Sequence, residues 1–254
     1  MKSAENVAVD AVTSDKFPSL KSVGFHPRTP TLGAEYSMVK DYAEKIIAEN
    51  FKGNGLDESI IVFVEPRMES AFPDLVVAYY HEELLSAWSE TRRHLNKTDL
   101  KVMHHIYCKG AVKTAEIKNI FPGSALKSLR RLSNSGLIFG DGKDWKSAPV
   151  HEVFAVYKIV AIEAKINDWR SGISQAFRNT WFASEVYLLL PSIRNKGQIL
   201  DEALSKGVGV LEQASISPVL FPRTEHSSSI LPKSYGSWMF NEWVWRIWRD
   251  SNQF

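Results

Sequence analysis

The sequence predicts an α/β protein whose fold is interrupted by a separate helical module, and three observations support this prediction. In the second half of the chain, segments with strand character alternate with segments of helical periodicity, as in α/β folds. Between residues 97 and 135 the hydrophobic period changes from that of strands to that of helices. Residues 97–148 also carry ten basic and four acidic side chains, a net charge of +6 in a chain whose total is +2. We therefore predict a basic module within a mildly acidic body.

Length and composition are those of an ordinary globular protein. The 254 residues are 44% hydrophobic and 24% charged, which is enough for one large domain or two modest ones. Cys108 is the single cysteine, which excludes an internal disulfide framework and fits a reducing compartment. The first residues, MKSAENVAVDAVTSDK, contain no sustained apolar run, so we predict neither a signal peptide nor a membrane span. We expect a cytoplasmic protein with no membrane partner.

Changes in composition and periodicity divide the chain into an arm, a discontinuous core and an insert. Residues 1–33 are polar, contain three prolines and are predicted to be a flexible or loosely docked arm. Residues 34–81 and 151–254 are predicted to form the α/β core. Residues 82–150 are predicted to form the inserted module.

The first part of the core should contain a helix and a hairpin. The stretch EYSMVKDYAEKIIAEN, from Glu35, has apolar residues at helical spacing. SIIVFVEP and FPDLVVAYY are rich in β-branched and aromatic residues and should pair as antiparallel strands.

The second part of the core should alternate between strands and helices. We predict a strand in VFAVYKIVAIEAKI, a helix in WRSGISQAFRNTWFA, a strand in SEVYLLLP, a helix in GQILDEALSK, and two short strands in GVGVLEQA and SPVLF. The last segment, SWMFNEWVWRIWRD, holds four tryptophans on a helix that is apolar around most of its circumference. Such a helix must be covered, and packing within the chain is favoured over base stacking.

The stretch IVAIEAKINDW places a carboxylate and a lysine on one face of a strand. Because side chains alternate along an extended chain, Glu163 and Lys165 share a face. They could form a solvated salt bridge on an edge strand, or a metal ligand beside a lysine that positions a reacting oxygen. Asp74 stands at the start of the apolar strand in FPDLVVAYY, where Pro73 fixes the entry of the chain.

FPDLV followed by IEAK resembles the signature of the PD-(D/E)XK nuclease superfamily, and the resemblance covers residues 35–80 and 153–213. It implies a restriction-endonuclease-like mixed sheet flanked by helices, with the two motifs on neighbouring strands. It also implies that Asp74 and Glu163 bind Mg²⁺, or alternatively Mn²⁺, that the Ala164 carbonyl is a further ligand, and that Lys165 is catalytic. Oxygen ligands of this kind are those that Mg²⁺ prefers.

Glu35 and Gln175 are further candidates for the catalytic site, each with a structural alternative. Members of the superfamily often contribute an acidic residue from the first helix, but Glu35 could instead be a helix-start carboxylate favoured by the helix dipole. Gln175 occupies a place where related nucleases often have a glutamine, but it could instead form a hydrogen bond at the end of the sheet. This chain has Asn179 where one branch of the superfamily has a tyrosine.

The spacing of the motifs departs from the usual pattern. Asp74 and Glu163 are 89 residues apart, far more than a hairpin connection needs. If residues 82–150 are an insertion, their removal leaves an ordinary connection between two adjacent strands.

The insert has the pattern of three helices followed by a small hairpin, which predicts a winged helix. We expect Leu126, Leu129 and Leu132 to point inward. Lysine, arginine and serine side chains on the outer surface could then contact DNA phosphates and base edges. The predicted DNA-binding residues are Ser124, Lys127, Ser128, Arg130 and Arg131 on the third helix, with Lys143 in the hairpin. The alternative is a solvated face on a protein-interaction module.

Together these patterns predict a metal-dependent endonuclease that hydrolyses phosphodiester bonds of double-stranded DNA held by the insert. The alternative is a catalytically silent, nuclease-like DNA-binding regulator or assembly subunit, because a fold does not guarantee its function. A cut through both strands would need two sites, so a homodimer is a further hypothesis, with the tryptophan-rich helix as one candidate interface.

Overall fold

The structure, a computed structural model, describes residues 18–27, 33–51, 59–68, 72–194, 196–223 and 231–252. Among these residues the helices are α1 (Ala34–Phe51), α2 (Glu82–Leu85), α3 (Lys97–Lys109), α4 (Thr114–Ile120), α5 (Ala125–Asn134), α6 (Val150–Val153), α7 (Trp169–Arg178), α8 (Lys196–Ser205) and α9 (Tyr235–Ser251). The strands are β1 (His26–Pro27), β2 (Ser59–Val64), β3 (Pro66–Arg67), β4 (Leu75–Tyr80), β5 (Ala111–Lys113), β6 (Ile138–Gly140), β7 (Asp144–Ser147), β8 (Val156–Ala164), β9 (Glu185–Leu190) and β10 (Gly209–Glu212). Short 3₁₀ helices span Pro18–Val23, Glu90–His94 and Asn179–Trp181.

A five-stranded mixed sheet forms the centre of the fold. Its strand order is β10-β9-β8-β4-β2. Strands β2, β4 and β8 pair antiparallel, whereas β8, β9 and β10 pair parallel. The prediction of an α/β protein with a mixed sheet flanked by helices is confirmed. Strands β4 and β8 are neighbours although the whole insert lies between them in sequence.

Both faces of the sheet are buried, which explains the nearly continuous apolar runs in its central strands. On β8, Val160, Ile162 and Ala164 belong to the core beneath α1. The alternating residues Ile159 and Ala161 belong to the larger core that includes α9. The sheet is therefore covered on one face by α1 and on the other by α7 and α9.

The tryptophan-rich helix α9 packs inside the chain, as favoured from the sequence. Trp238, Trp243 and Trp245 have no exposed surface. The Trp243 ring meets the Phe25 ring edge-on, with a centroid distance of 5.1 Å. The helix was a candidate dimer interface, but these three rings are buried within the chain and cannot contact a second copy. The homodimer itself stays a prediction. Within the described ranges, no helix combines the length and the apolar character that crossing a bilayer requires.

Residues 18–27, the second part of the predicted arm, are firmly packed. Leu20, Val23 and Phe25 are 0%, 0% and 1% exposed. Arg246 on α9 donates a hydrogen bond of 2.7 Å to Ser22 Oγ, and Trp243 donates one of 3.1 Å to the Val23 carbonyl. The prediction of a loosely docked arm therefore fails for this part, because its few apolar side chains complete the core against α9. Residues 1–17 and 28–32 of the predicted arm lie outside the described residues.

The insert contains α3, α4 and α5 and a three-stranded antiparallel sheet of order β5-β7-β6. Its core is continuous with that of the main sheet. Tyr107 of α3 contacts Trp238 of α9 edge-on, with ring centroids 6.1 Å apart. Trp238 in turn meets Phe154 at 5.0 Å. The insert is therefore fixed to the main sheet through α9 rather than tethered to it.

Buried charges also join the insert to α9. The Arg92 guanidinium forms a buried ion pair with Glu242 and donates a hydrogen bond of 3.1 Å to the Val153 carbonyl. Arg246 donates to the carbonyls of Arg92 and Leu95 at 3.1 and 3.0 Å. Because these groups are buried, each depends on its partner for stability.

One predicted strand is reduced to a single bridge. In SPVLF, the one bridge to the described residues joins Leu220 to Val210 of β10. Phe221, the next residue, is 70% exposed. The segment therefore touches the edge of the sheet without extending it.

Candidate functional site

The strand register places Asp74 opposite Glu163. Leu75 of β4 pairs with Ile162 of β8, so the next residue outward on each strand, Asp74 and Glu163, face one another at the end of the sheet. The Ala164 N–H donates a hydrogen bond of 2.8 Å to Asp74 Oδ2. Two carboxylates that are 89 residues apart in sequence therefore lie side by side.

Glu65 extends this row of acidic residues to a third strand. Val64 of β2 pairs with Leu75, which places Glu65 opposite Asp74, and the Glu65 N–H donates a 2.8 Å hydrogen bond to the Asp74 carbonyl. Glu65 is 8% exposed and has a φ of 47°, an uncommon conformation for a residue other than glycine. Glu65 was not among the residues predicted from the sequence, although counting across the predicted hairpin places it opposite Asp74.

The described residues contain no group of three or more acidic, histidine or cysteine side chains arranged to hold one metal ion. A metal hypothesis therefore depends on the Asp74–Glu163 pair and on backbone or water oxygens. The Ala164 side chain is buried in the core beneath α1, and its N–H is the group that contacts Asp74.

Of the two carboxyl groups, that of Glu163 is buried and that of Asp74 is partly exposed. Glu163 is 5% exposed, and the side-chain amide of Asn179 donates a hydrogen bond of 2.7 Å to its Oε1. Burial raises the pKa of Glu163 to about 8, with the neighbouring Asp74 carboxylate as the next cause. Burial also raises the pKa of Asp74. In the absence of a cation, the pair therefore tends to retain a proton near neutral pH.

Lys165 follows directly on β8 and contacts Glu35. Its Nζ lies 3.3 Å from Glu35 Oε2, and the Ile166 N–H donates a 3.2 Å hydrogen bond to Glu35 Oε1. The Lys165 side chain is 16% exposed. The predicted acidic residue of the first helix therefore joins the site, and its direct partner is the lysine.

A glycine allows α7 to approach the lysine closely. A Cβ atom at Gly172 would lie 2.7 Å from Lys165 Cγ and 2.5 Å from Leu188 Cδ1. Both distances are shorter than van der Waals contact allows. The stem of Lys165 is therefore held between the sheet and the backbone of α7.

The end of α7 presents polar side chains to the site. Gln175 lines the cleft beside the carboxylates, and its Nε2 lies 3.4 Å from Ser171 Oγ. Arg178 also lines this cleft; it is exposed and forms no ion pair with the described residues. Asn179 is 1% exposed. Gln175 was predicted from the sequence, whereas no role was predicted for Arg178 or Asn179. Their spacing of three and four residues from Gln175 places them on the same helix face.

All five residues predicted to be catalytic line one cleft of about 800 Å³. They are Glu35, Asp74, Glu163, Lys165 and Gln175. The same cleft is lined by two aromatic rings, those of Tyr36 and Phe72. The structure therefore brings together residues from α1, the start of β4, the end of β8 and the end of α7.

The insert carries the predicted DNA-binding residues, and three of the six are exposed. Lys127 and Arg130 are exposed on α5, and Lys143 is exposed in the turn between β6 and β7. Ser124 is partly buried, and its hydroxyl donates a 3.3 Å hydrogen bond to the Phe121 carbonyl.

The predictions for Ser128 and Leu126 are wrong, because α5 is rotated relative to the expected orientation. Ser128 is fully buried, so it cannot reach a base edge, whereas Leu126 is 58% exposed. The buried stripe runs through Ala125, Ser128, Leu129 and Leu132. Small residues stand at two of these buried positions, which a pattern of leucines alone does not indicate.

Arg131, predicted to bind DNA, has a structural partner within the insert. It donates two hydrogen bonds of 2.7 Å to the carboxylate of Asp99, which is fully buried at the start of α3. Asp99 also accepts a hydrogen bond of 2.8 Å from the Asn96 N–H as part of a capping box. The Arg131 guanidinium therefore joins α5 to α3 instead of pointing freely to solvent.

No family model, curated protein or solved structure matches this chain. The functional interpretation therefore depends on the geometry and chemistry of the cleft.

Proposed function

We propose that this chain is a metal-dependent endonuclease that hydrolyses phosphodiester bonds of DNA on a restriction-endonuclease-like sheet. The observation that carries the proposal is the meeting of Asp74, Glu163 and Lys165 at one end of neighbouring strands and in one cleft. The sequence resemblance selects these residues from segments 89 positions apart. Their adjacency depends on strand pairing, which the two short motifs do not encode.

The donor set fits a hard divalent cation. Asp74 and Glu163 would hold Mg²⁺ or Mn²⁺ through carboxylate oxygens, with the Ala164 carbonyl as a further ligand. The raised pKa of Glu163 indicates that the buried pair is electrostatically unfavourable when both groups are ionised, which a cation would relieve. When bound, such an ion polarises a phosphoryl oxygen and lowers the pKa of its bound water.

The side chains around the carboxyl pair have distinct roles in this proposal. The Lys165 ammonium stabilises the negative charge that develops on the phosphate as water attacks phosphorus in line with the leaving oxygen. Glu35 orients this ammonium through its 3.3 Å contact. Asn179 donates a hydrogen bond to one oxygen of the Glu163 carboxylate. This bond fixes the orientation of the carboxylate relative to Asp74, and with it the direction of the second oxygen. Gln175 lines the same cleft and would contact the phosphate or its water shell.

We further propose that the insert is a winged helix that binds duplex DNA. Its order of elements, α3-β5-α4-α5-β6-β7, and its antiparallel three-stranded sheet support this assignment. Lys127 and Arg130 are exposed on the candidate recognition helix, and Lys143 is exposed in the hairpin turn. These cations would neutralise phosphates, so DNA affinity should fall steeply with salt. A protein-interaction module would show no such dependence.

Plasmid cleavage tests the proposed activity. Wild type, Asp74→Ala and Lys165→Ala are incubated with supercoiled plasmid and linear duplex in Mg²⁺, Mn²⁺ or EDTA. Lys40→Ala is the matched control, because Lys40 is a 63% exposed lysine of α1. We expect nicking or linearisation by wild type and Lys40→Ala only, and none in EDTA. Equal cutting by Lys165→Ala, or cutting that persists in EDTA, would overturn the proposal.

If wild type cuts neither substrate, a calorimetric titration with Mn²⁺ separates the two remaining interpretations. Binding that Asp74→Ala abolishes would show an intact metal site and direct attention to other DNA substrates. No binding by wild type would favour the catalytically silent DNA-binding protein.

A further inference from the structure

The mouth of the cleft carries an exposed aromatic ring two residues before Asp74. Phe72 lines the cleft and is 49% exposed. The Arg67 guanidinium lies 5.9 Å from the centroid of its ring, within range of a cation–π contact. A single exposed apolar side chain has no functional meaning by itself. Here, however, the ring lies at the edge of a cleft that contains the carboxyl pair.

Other groups lining the cleft match the chemistry of a nucleotide. Tyr36 of α1 supplies a second aromatic ring, and Arg178 of α7 supplies an exposed guanidinium. Lys165 adds a further cation beside the carboxylates. Aromatic rings that stack bases and cations that neutralise phosphates are the two components of sites that bind single-stranded nucleic acids.

The size of the cleft is consistent with a whole nucleotide. Its volume of about 800 Å³ falls within the range of pockets that enclose small organic ligands and exceeds what one phosphate group requires. In a duplex each base face is covered by the neighbouring bases, so a protein ring can stack on a base only when the base is unpaired or displaced.

We propose that this cleft receives an unpaired nucleotide, whose base stacks on Phe72 and whose phosphate is neutralised by Arg178. This inference rests on the proposed nuclease function and specifies its substrate class. The preferred substrate is DNA with a single-stranded or splayed segment next to the scissile phosphate.

Binding in EDTA tests the stacking site independently of cleavage. The probe is a fluorescein-labelled oligodeoxythymidylate of about 12 nucleotides, followed by fluorescence anisotropy. Phe72→Ala should weaken binding by about tenfold, which corresponds to the loss of one base–aromatic stack. Phe72→Trp should bind as tightly as wild type. Oligodeoxyuridylate and oligouridylate of the same length differ only in the 2′-hydroxyl and so distinguish DNA from RNA; we expect weaker binding of the RNA.

Phe177→Ala is the matched control for this experiment. Phe177 lies on α7, is 50% exposed and is not part of the cleft lining. Its substitution should leave the affinity within about twofold of wild type. Equal binding by wild type and Phe72→Ala, or an equal loss in Phe177→Ala, would overturn the stacking site. Tighter binding of the RNA would overturn the assignment to DNA.

Cleavage of a splayed duplex, compared with a blunt duplex of the same sequence, tests the substrate class. We expect wild type to cut near the junction at least about tenfold faster than it cuts the blunt duplex, and Phe72→Ala to lose most of this preference. Equal rates on both substrates would overturn the inference and leave the nuclease proposal intact. If neither substrate is cut but Phe72 still determines oligonucleotide binding, the nuclease proposal fails and the binding site stands.

Discussion

Asn179 donates a hydrogen bond of 2.7 Å from its side-chain amide to Oε1 of Glu163, and both side chains are almost completely buried. This contact links the end of α7 to the end of β8, the strand that carries the candidate metal ligand Glu163 and is followed directly by Lys165. Because the amide occupies one carboxylate oxygen, it fixes the orientation of the whole group. Asn179 is therefore a positioning residue in the proposed site.

Asn179→Ala should lower the affinity for Mn²⁺ and the rate of DNA cleavage by about 10- to 100-fold, because groups that orient metal ligands typically contribute this much. Calorimetric titration with Mn²⁺ measures the affinity directly and would not respond to a purely structural role. Thr180→Ala is the matched control, since the Thr180 hydroxyl donates to the Phe177 carbonyl and to no other group of the described residues. Unchanged Mn²⁺ affinity in Asn179→Ala would contradict the positioning role.

The stability of the metal-free protein should fall as pH rises from about 5 to about 8. Glu163 has a pKa of about 8 in the folded chain and an ordinary value of 4.5. Between these values the folded state binds more protons than the unfolded state, so the free energy of unfolding decreases with pH. The loss should be on the order of a few kcal/mol.

Urea denaturation in EDTA at a series of pH values measures this effect. Glu163→Gln cannot ionise and should therefore show a flatter dependence of unfolding free energy on pH. A slope in Glu163→Gln equal to that of wild type would assign the pH dependence to other groups.

Arg130 and Arg131 are adjacent on α5, yet their substitution should have different effects. Arg130 is exposed, so Arg130→Ala should weaken the binding of duplex DNA and leave the stability of the protein unchanged. The salt dependence of the DNA affinity should fall by about the contribution of one phosphate contact. Arg131 holds the buried carboxylate of Asp99, so Arg131→Ala should destabilise the protein by about 3 kcal/mol.

Thermal denaturation and salt titrations of DNA binding separate these two effects. The two arginine variants serve as controls for one another. A large loss of stability in Arg130→Ala, or none in Arg131→Ala, would contradict the orientation of α5 described above.

Gly172→Ala should reduce DNA cleavage by at least about tenfold, because the added Cβ would displace the stem of Lys165 or the side chain of Leu188. Overpacking of this kind should also destabilise the protein by about 1–3 kcal/mol. Gly197→Ala on α8 is the matched control, since no described atom outside its chain neighbours and its own helix backbone lies within 4 Å of the added Cβ. That variant should keep full activity and should be as stable as wild type or about 1 kcal/mol more stable.

Cleavage rates measured well below the melting temperature of each variant test this expectation. Full activity in Gly172→Ala would show that the position of Lys165 tolerates a shift, or that the lysine has no catalytic role.

The sequence alone determined the elements of the core and three residues at the centre of its candidate site. Strands Leu75–Tyr80 and Val156–Ala164 were predictable because runs of β-branched and aromatic residues favour buried strands. Helix Ala34–Phe51 was predictable from its apolar spacing. The three residues of the site could be selected as candidates because each is a charged residue within or next to such a strand; they are Asp74, Glu163 and Lys165. These signals are local, so a single sequence contains them.

Only the tertiary structure decided which of these elements meet. The pairing of β4 with β8 brings Asp74 to Glu163 across an insertion, and the position of α7 brings Asn179 to Glu163. The orientation of α5 buried Ser128 and gave Arg131 its partner Asp99. In each case the deciding contacts join residues distant in the chain. Hydrophobic periodicity specifies which face of an element is buried only approximately, and it does not specify the partner against which that face packs.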